Sequence, residues 1–236
     1  MQLVGPSAQR IAEELDILQE LLPLEGAHVL ELGCGTAVKT RQLAEHTGVA
    51  SIVAAEVDPI AHANNLDIAD LPKVTFKAYG AEAIEEADAA FDIVLMFKSL
   101  HHVPLEQMDR AMREIRRVLK PGGLAYISEP VFAGDFNEVI RLFHDEETVR
   151  RAAFEAAERA VRDTTFELAS ETFFCNTMRM KDFSQVENGI LAATHTDFSM
   201  TPERLKQVKD KFESYRGSDG FVFQIPNRVD LLRRPA

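Results

Sequence analysis

Val29-Leu30-Glu31-Leu32-Gly33-Cys34-Gly35-Thr36 is the stretch on which the fold turns. Its first four residues are mostly branched and apolar, the pattern of a strand buried on both faces. They run without a spacer into two glycines one residue apart. Glycines there let the chain turn tightly and let a ligand approach backbone N–H groups that a Cβ would shield. An expected helix over 37–46 follows, so the turn joins strand to helix. The dinucleotide fingerprint needs a third glycine at position 38, where this chain has Val38, which argues against a nicotinamide dinucleotide.

Outward from the turn, two periodicities alternate. On the N-terminal side Ile11, Leu15, Leu18 and Leu21-Leu22 recur at helical spacing, with Ser7 as the expected N-cap and Pro23 and Gly26 as the stop. On the other side 51–55, 74–78, 92–97 and 124–128 read as strands. A helix opens at Asp58-Pro59, and another carries Met108, Ala111-Met112, Ile115 and Val118-Leu119 on one face. Lys120-Pro121-Gly122-Gly123 is expected to close the latter. Strands that alternate with helices and are apolar in runs predict a parallel sheet covered on both faces. The fold class is therefore a doubly wound α/β domain, with its sites at the carboxyl ends of the strands. After Pro130 the pattern changes. Residues 135–163 have helical apolar spacing, 165–200 are strand-like but ambiguous, Thr201-Pro202-Glu203 opens a helix, and 221–225 form a late strand.

Composition narrows the function. The 236 residues carry 26 Lys+Arg against 38 Asp+Glu, a net charge of −12. Residues 1–130 hold 11 basic and 20 acidic side chains, and residues 131–236 hold 15 and 18. Neither half offers the basic field that draws phosphodiester backbones or anionic lipid, so no nucleic acid and no membrane is expected as partner. No apolar run approaches the roughly 20 residues that span a bilayer. Met1 is followed by Gln2-Leu3-Val4-Gly5-Pro6, without a basic or long apolar leader. Two distant cysteines, Cys34 and Cys175, make no disulfide framework, and a cytoplasmic location is the expectation. Cys175, His144 and His195 show no metal-ligand spacing, so no metal is expected.

The stretch 29–36, the acidic Glu56 that ends the next strand, Phe91-Asp92-Ile93-Val94-Leu95, Leu100-His101-His102-Val103, and the run from Ile115 through Lys120-Pro121-Gly122-Gly123 together resemble a class I S-adenosylmethionine-dependent methyltransferase. The likeness is to the branch acting mostly on small molecules, and it covers about residues 5–130. It implies a seven-stranded, mostly parallel sheet with helices on both faces and a helical cover inserted after the fifth strand. One domain is implied over 1–236, with its core at 24–130, a specificity-setting cover at about 131–200, and a closing helix and strand at about 201–236. The implied activity moves a methyl group from S-adenosylmethionine to an O, N, S or C atom of a small metabolite. Two alternatives stay open: an RNA or protein methyltransferase, and an idle cofactor-binding sensor or partner protein. A homodimer is also left open.

The same resemblance implies roles for residues. Gly33, Cys34, Gly35 and Thr36 would meet the methionine part of the cofactor, with amides at the helix start receiving its carboxylate. Glu56 would accept both ribose hydroxyls, with Val57 beside it and Asp58 serving as a helix cap. Glu31 is expected to order the glycine loop by a local hydrogen bond. Ala37 replaces a third glycine often present in the family, a change of one methyl. The usual acidic adenine contact falls on Gly80, which leaves the backbone of Ala81 or the side chain of Glu82. Phe97 and Phe132 are expected pocket walls, and Lys98 is expected to face outward. The cofactor's cover would come from 1–10 or 131–200. Methyl transfer is an in-line displacement that mainly needs alignment. His101, His102 and Glu129 are therefore only candidates for a base, Glu129 also for a substrate anchor. Phe173-Phe174, Met178 and Met180 would line a pocket or fill core.

Overall fold

In the computed structural model, which describes residues 1–6, 10–191, 198–218 and 220–236, the apolar runs pair into one eight-stranded sheet. Its order is β4 (Val74–Lys77), β3 (Ser51–Ala55), β2 (His28–Leu32), β5 (Phe91–Phe97), β6 (Leu119–Pro130), β8 (Phe221–Arg233), β7 (Glu167–Met180) and β1 (Arg10–Ile11). The four pairs from β4 to β6 are parallel, and β8 runs antiparallel to both its neighbours. This is the expected doubly wound architecture with one strand more. Arg10 and Ile11 pair with Phe174 and Cys175 at the edge, so Ile11 is 65% exposed instead of opening the first helix. That helix, α1, is Glu14–Leu21. Ser7, the expected cap, lies outside the described residues, as does His195.

Strand side chains alternate between two cores. Leu30, Leu32, Val94, Met96, Ala125 and Ile127 face α4 (Met108–Val118) and α6 (Glu147–Arg162). Val29, Ile93, Leu95, Leu124 and Tyr126 face α1 and α2 (Val38–His46). Both faces are thus buried, which is why the strands read as runs and not as alternation. α3 (Pro59–Leu66) links β3 to β4, and Asp58 caps it by accepting from Ile60 N at 2.8 Å. The Pro-Gly-Gly run falls inside β6. Leu119 already pairs with Phe91, and the register slips before Leu124 meets Ile93. It is a bulge: Gly122 has φ +77°, and a Cβ on Gly123 would stand 2.9 Å from the Lys120 carbonyl oxygen.

The described residues of the stretch 131–200 go to three places. α6 joins the helix layer, packing Ala153, Ala156, Ala157 and Ala160 beside α4. β7 joins the sheet. α5 (Asp135–Ile140) and the short α7 (Ser184–Val186), with the turn Glu187–Leu191 that follows it, belong to a cap together with α8 (Pro202–Glu213). The cap has a scaffold of its own. β6 ends at Pro130 opposite Asn227, while 175–180 and 221–226 continue as a two-stranded ribbon past the carboxyl edge. Phe143, Phe183, Phe212, Phe221 and Phe223 form its core with Val139, Val186 and Val208. Met178 and Met180 pack against this cluster, and Phe174 is buried in the sheet core. Residues 1–6 lie along β7 instead of over the glycine turn. Gln2 N donates to Glu171 Oε1 at 2.7 Å, and Gly5 is pressed on Phe173 so closely that a Cβ would meet the ring at 2.3 Å.

Candidate active site

The glycine turn leaves β2 at Leu32 and is pinned at once, because Gly33 N and Cys34 N both donate to the Ala55 carbonyl of β3, at 2.9 and 3.0 Å. Gly33 (φ +74°), Gly35 (φ +55°) and Ala37 (φ +59°) are all left-handed. At Gly33 a Cβ would stand 2.6 Å from Ser99 Cβ, whereas at Gly35 it would meet nothing within 4 Å. The open side of Gly35 is the cradle. Ala37 is more than a small change of size, since its methyl is buried and its backbone carries a conformation that costs a non-glycine residue about 1–2 kcal/mol. As N-cap of α2 it supplies no side-chain bond to the first turn, whose N–H groups are left for an anion.

One carboxylate takes on work expected of another. Glu56, at the end of β3 and 8% exposed, accepts from Gly35 N at 2.6 Å, Val57 N at 2.8 Å and Asp58 N at 2.9 Å. It therefore orders the glycine loop, the work expected of Glu31. An ionised carboxylate has about four acceptor positions, so it keeps capacity for a hydroxyl. Glu31 is 1% exposed and accepts from Thr40 Oγ1 of α2 at 2.7 Å. Burial raises its pKa to about 7, against the lowering effects of the Thr40 bond and the Lys39 charge. Asn65 of α3, which no local signal marked, donates to the Gly35 carbonyl at 2.8 Å and reaches Cys34 Sγ at 3.6 Å. Burial, with the Glu31 and Glu56 charges, pushes the Cys34 thiol up and makes it a packing group.

The remaining expected contacts surround this loop. Thr36 is exposed, and Val57 and Ile60 expose 66% and 56% of their surface next to Glu56, a sticky margin for a flat apolar group. Ala81 is buried with Tyr79 in the core below the α4 face, so only its backbone is left for a ligand. The half-buried Glu82 folds its carboxylate over Gly80, filling the space a Cβ would take. Phe97 is half-buried, edge-on to Tyr126 at 5.7 Å, and the Tyr126 hydroxyl donates to the buried Glu14 at 2.7 Å. Lys98, with φ +55°, does not simply face bulk solvent: burial lowers its pKa, and the charges of Glu14, Lys39, Glu129 and Arg150 act on it. Phe132 is half-buried, with the guanidinium groups of Arg141 and Arg150 over its ring at 5.1 and 5.8 Å.

The three catalytic candidates separate. His101 is 4% exposed, with Nδ1 bonded to Glu129 Oε2 and Nε2 3.5 Å from Glu146 Oε1. Burial lowers its pKa, but Glu129 and then Glu146 override this and raise it to about 9. Both ring nitrogens thus face carboxylates. Glu129 is 2% exposed; its other oxygen accepts from Leu100 N at 2.9 Å, so it anchors His101 and not a substrate. Burial raises its pKa, yet the His101 charge and bonds outweigh that and hold it low. Glu146 also pairs with His144 Nε2 at 2.8 Å and Arg150 Nη2 at 2.5 Å, and its carboxyl is held well below the usual range against the pull of burial. His102 alone of the three is exposed, its ring 4.1 Å from that of His101.

Comparison with known proteins agrees with this geometry. Residues 29–123 match the family model described as "Methyltransferase domain". Methyltransferase GfsG of Streptomyces halstedii is 31% identical over 145 residues, covering 58% of this chain and 50% of that protein. The ubiquinone biosynthesis O-methyltransferase of Coxiella burnetii is 27% identical over 114 residues, covering 48% of each chain. This chain thus spans about half the length of the curated relatives it matches. Among solved structures, the YcgJ protein of Bacillus subtilis superposes with a TM-score of 0.67 at 14% identity, covering 94% of this chain and 98% of that one, a likeness of fold. No helix among the described residues is long and apolar enough to cross a membrane.

Proposed function

We propose, from the match of residues 29–123 to the methyltransferase domain model, that the chain is a class I, S-adenosylmethionine-dependent methyltransferase that transfers the cofactor's methyl group to a small-molecule acceptor. The observation that carries the proposal is the pairing of an open left-handed Gly35 with Glu56 at the end of β3. The residues present fit the cofactor. The first turn of α2 would take its carboxylate, the remaining acceptor position of Glu56 a ribose hydroxyl, and the exposed Val57 and Ile60 one face of its adenine. When bound, S-adenosylmethionine supplies an electrophilic methyl on a positively charged sulfur.

The chain's own contribution is alignment, worth roughly 7–11 kcal/mol when reacting groups are held in line. Its acidic surface, −12 overall, favours a small acceptor over a nucleic acid. His102, exposed at this edge, stands where an acceptor would meet it. The cap on the 175–180 and 221–226 ribbon stands where the acceptor would enter.

Titration calorimetry with S-adenosylmethionine, its demethylated product and NAD tests the cofactor. Binding of the first two alone is expected, with at least about a tenfold loss in Glu56→Ala, which removes a hydrogen bond from a charged group to the ligand and releases the Gly35, Val57 and Asp58 amides that shape the loop. Unchanged affinity in that variant would remove Glu56 from the site. A panel of hydroxyl, amine and thiol metabolites with methyl-labelled cofactor then tests transfer. Tight binding with no product across the panel would leave a cofactor-binding protein without transfer.

A further inference from the structure

No spacing in the sequence suggests a metal, yet the fold assembles ligands for one. His101 and His102 lie on the 3-10 turn Leu100–His102 that follows β5, and Glu146 immediately precedes α6. One ligand atom from each of the three lies within 4.8 Å of the others. We propose that His101, His102 and Glu146 bind a divalent transition-metal ion of the zinc class.

Four features support this. First, the 3.5 Å between His101 Nε2 and Glu146 Oε1 is long for a hydrogen bond. It is close to the separation, roughly 3.4 Å, of two donors that each stand about 2.1 Å from a tetrahedral ion. Second, the outer bonds are those of a metal site. A metal-bound histidine characteristically gives its other ring nitrogen to a carboxylate, and His101 gives Nδ1 to Glu129, which Leu100 N orients in turn. Glu146 is oriented by Arg150, which takes Oε2 and leaves Oε1 toward the histidines. Third, two imidazoles and one carboxylate select zinc, iron or manganese over calcium or magnesium. Fourth, two of the three ligands are buried and His102 is exposed, which leaves the ion's outer position open, the mark of a reactive site and not a structural one.

The neighbouring charges are accounted for. Glu129 and Glu146 bring two negative charges; Arg150, paired with Glu146, and Lys98 and Arg228, which act on Glu129, oppose the ion with positive charge. His144 donates to the same Glu146 oxygen at 2.8 Å, and it either keeps that bond or turns to supply a fourth ligand. The incoming ion displaces the Nε2 proton of His101, which leaves to solvent. Ser99, two residues before His101, abuts Gly33, so the turn that carries the two histidines adjoins the glycine turn. The ion's role rests on the transfer proposal: it would bind an acceptor hydroxyl and lower that group's pKa. The favoured acceptor is therefore an oxygen on a molecule able to reach the ion.

The test uses the full, tag-free chain after treatment with a chelator, with Zn²⁺ alone followed by calorimetry and Co²⁺ alone by visible absorption. One Zn²⁺ per chain is expected, with a micromolar or tighter dissociation constant, and Co²⁺ should give the intense visible band of a low-coordinate site. Glu129→Gln should weaken Zn²⁺ binding about 10–100-fold. His102→Ala, at an exposed position, and Glu146→Gln should each weaken it at least as much. The same samples are titrated with S-adenosylmethionine. Retained cofactor binding shows that a variant is folded, and Zn²⁺ binding without cofactor binding would sink the transfer proposal while leaving the metal site standing. Zn²⁺ binding weaker than about 100 μM, or binding that His102→Ala leaves unchanged, would overturn the metal site.

Discussion

Replacing Glu31 with glutamine should stabilise the protein, and by an amount that depends on pH. Glu31 is 1% exposed on β2, and its folded pKa is raised to about 7 from 4.5, mainly by burial. For an acid raised on folding, the folded state holds its proton through a window in which the unfolded chain has lost it. Stability therefore falls as pH rises from about 4.5 to about 7, then levels off. Each pKa unit is worth 1.36 kcal/mol, so the wild type carries a penalty of about 3 kcal/mol above pH 7. Glutamine keeps an acceptor for Thr40 Oγ1, now at 2.7 Å, and carries no charge to desolvate. Urea unfolding of both proteins from pH 5.5 to 8.5 measures the difference directly and cancels the other titrating groups. The advantage of Glu31→Gln should grow from about 1 kcal/mol at pH 5.5 to about 3 kcal/mol at pH 8. A difference that is flat with pH, or a variant less stable than wild type at pH 8, would refute the assignment of a buried, uncompensated carboxyl.

Other substitutions separate folding from binding. Gly35→Ala meets no atom within 4 Å and carries only the left-handed strain, about 1–2 kcal/mol, yet it should abolish most cofactor affinity by filling the cradle. Gly33→Ala adds a 2.6 Å clash with Ser99 Cβ and should lower the melting temperature distinctly more than Gly35→Ala; equal losses would mean the two glycines are alike. Asn65→Ala removes the donor to the Gly35 carbonyl, which should cost about 1 kcal/mol and weaken cofactor binding, read by urea unfolding and calorimetry. Phe212→Ala empties the centre of the cap, where the ring lies 4.1 Å from Phe221 and 5.5 Å from Phe183, at a cost of about 3–5 kcal/mol. Hydrogen exchange should show protection lost over 202–213 and 221–226 but kept over 91–97; loss in β5 as well would mean that cap and sheet unfold as one unit.

The glycine turn and β5 were legible because their code is local: a run of branched residues buried on both faces, then glycines where φ must be positive. Asp58 as a cap and Thr201-Pro202 as a helix start were legible for the same reason, each being settled within three residues. The long β7 and β8 were not. Only 221–225 read as a strand, although the element runs to Arg233, because Asn227, Arg228 and Asp230 interrupt the apolar pattern. All three are nonetheless nearly sealed, and Arg228 Nε pairs with Asp230 Oδ2 at 2.9 Å. A buried ion pair hides a core strand behind polar letters.

The candidate site shows the same division more sharply. Glu31 and Glu56 are both acids at the carboxyl ends of neighbouring strands, and nothing local distinguishes their tasks. Partners do: Thr40 points into the layer beneath β2, while the Gly35 amide is presented to β3. His101 and His102 are adjacent in sequence and differ in burial because one of them has two carboxylates waiting inside. Glu129 comes from β6 and Glu146 from the approach to α6, 44 residues beyond His102. Residue type names the chemistry a side chain is capable of. Which of two histidines meets a substrate, and which is held as a donor, depends on carboxylates that the chain delivers only when β6 and α6 are in place.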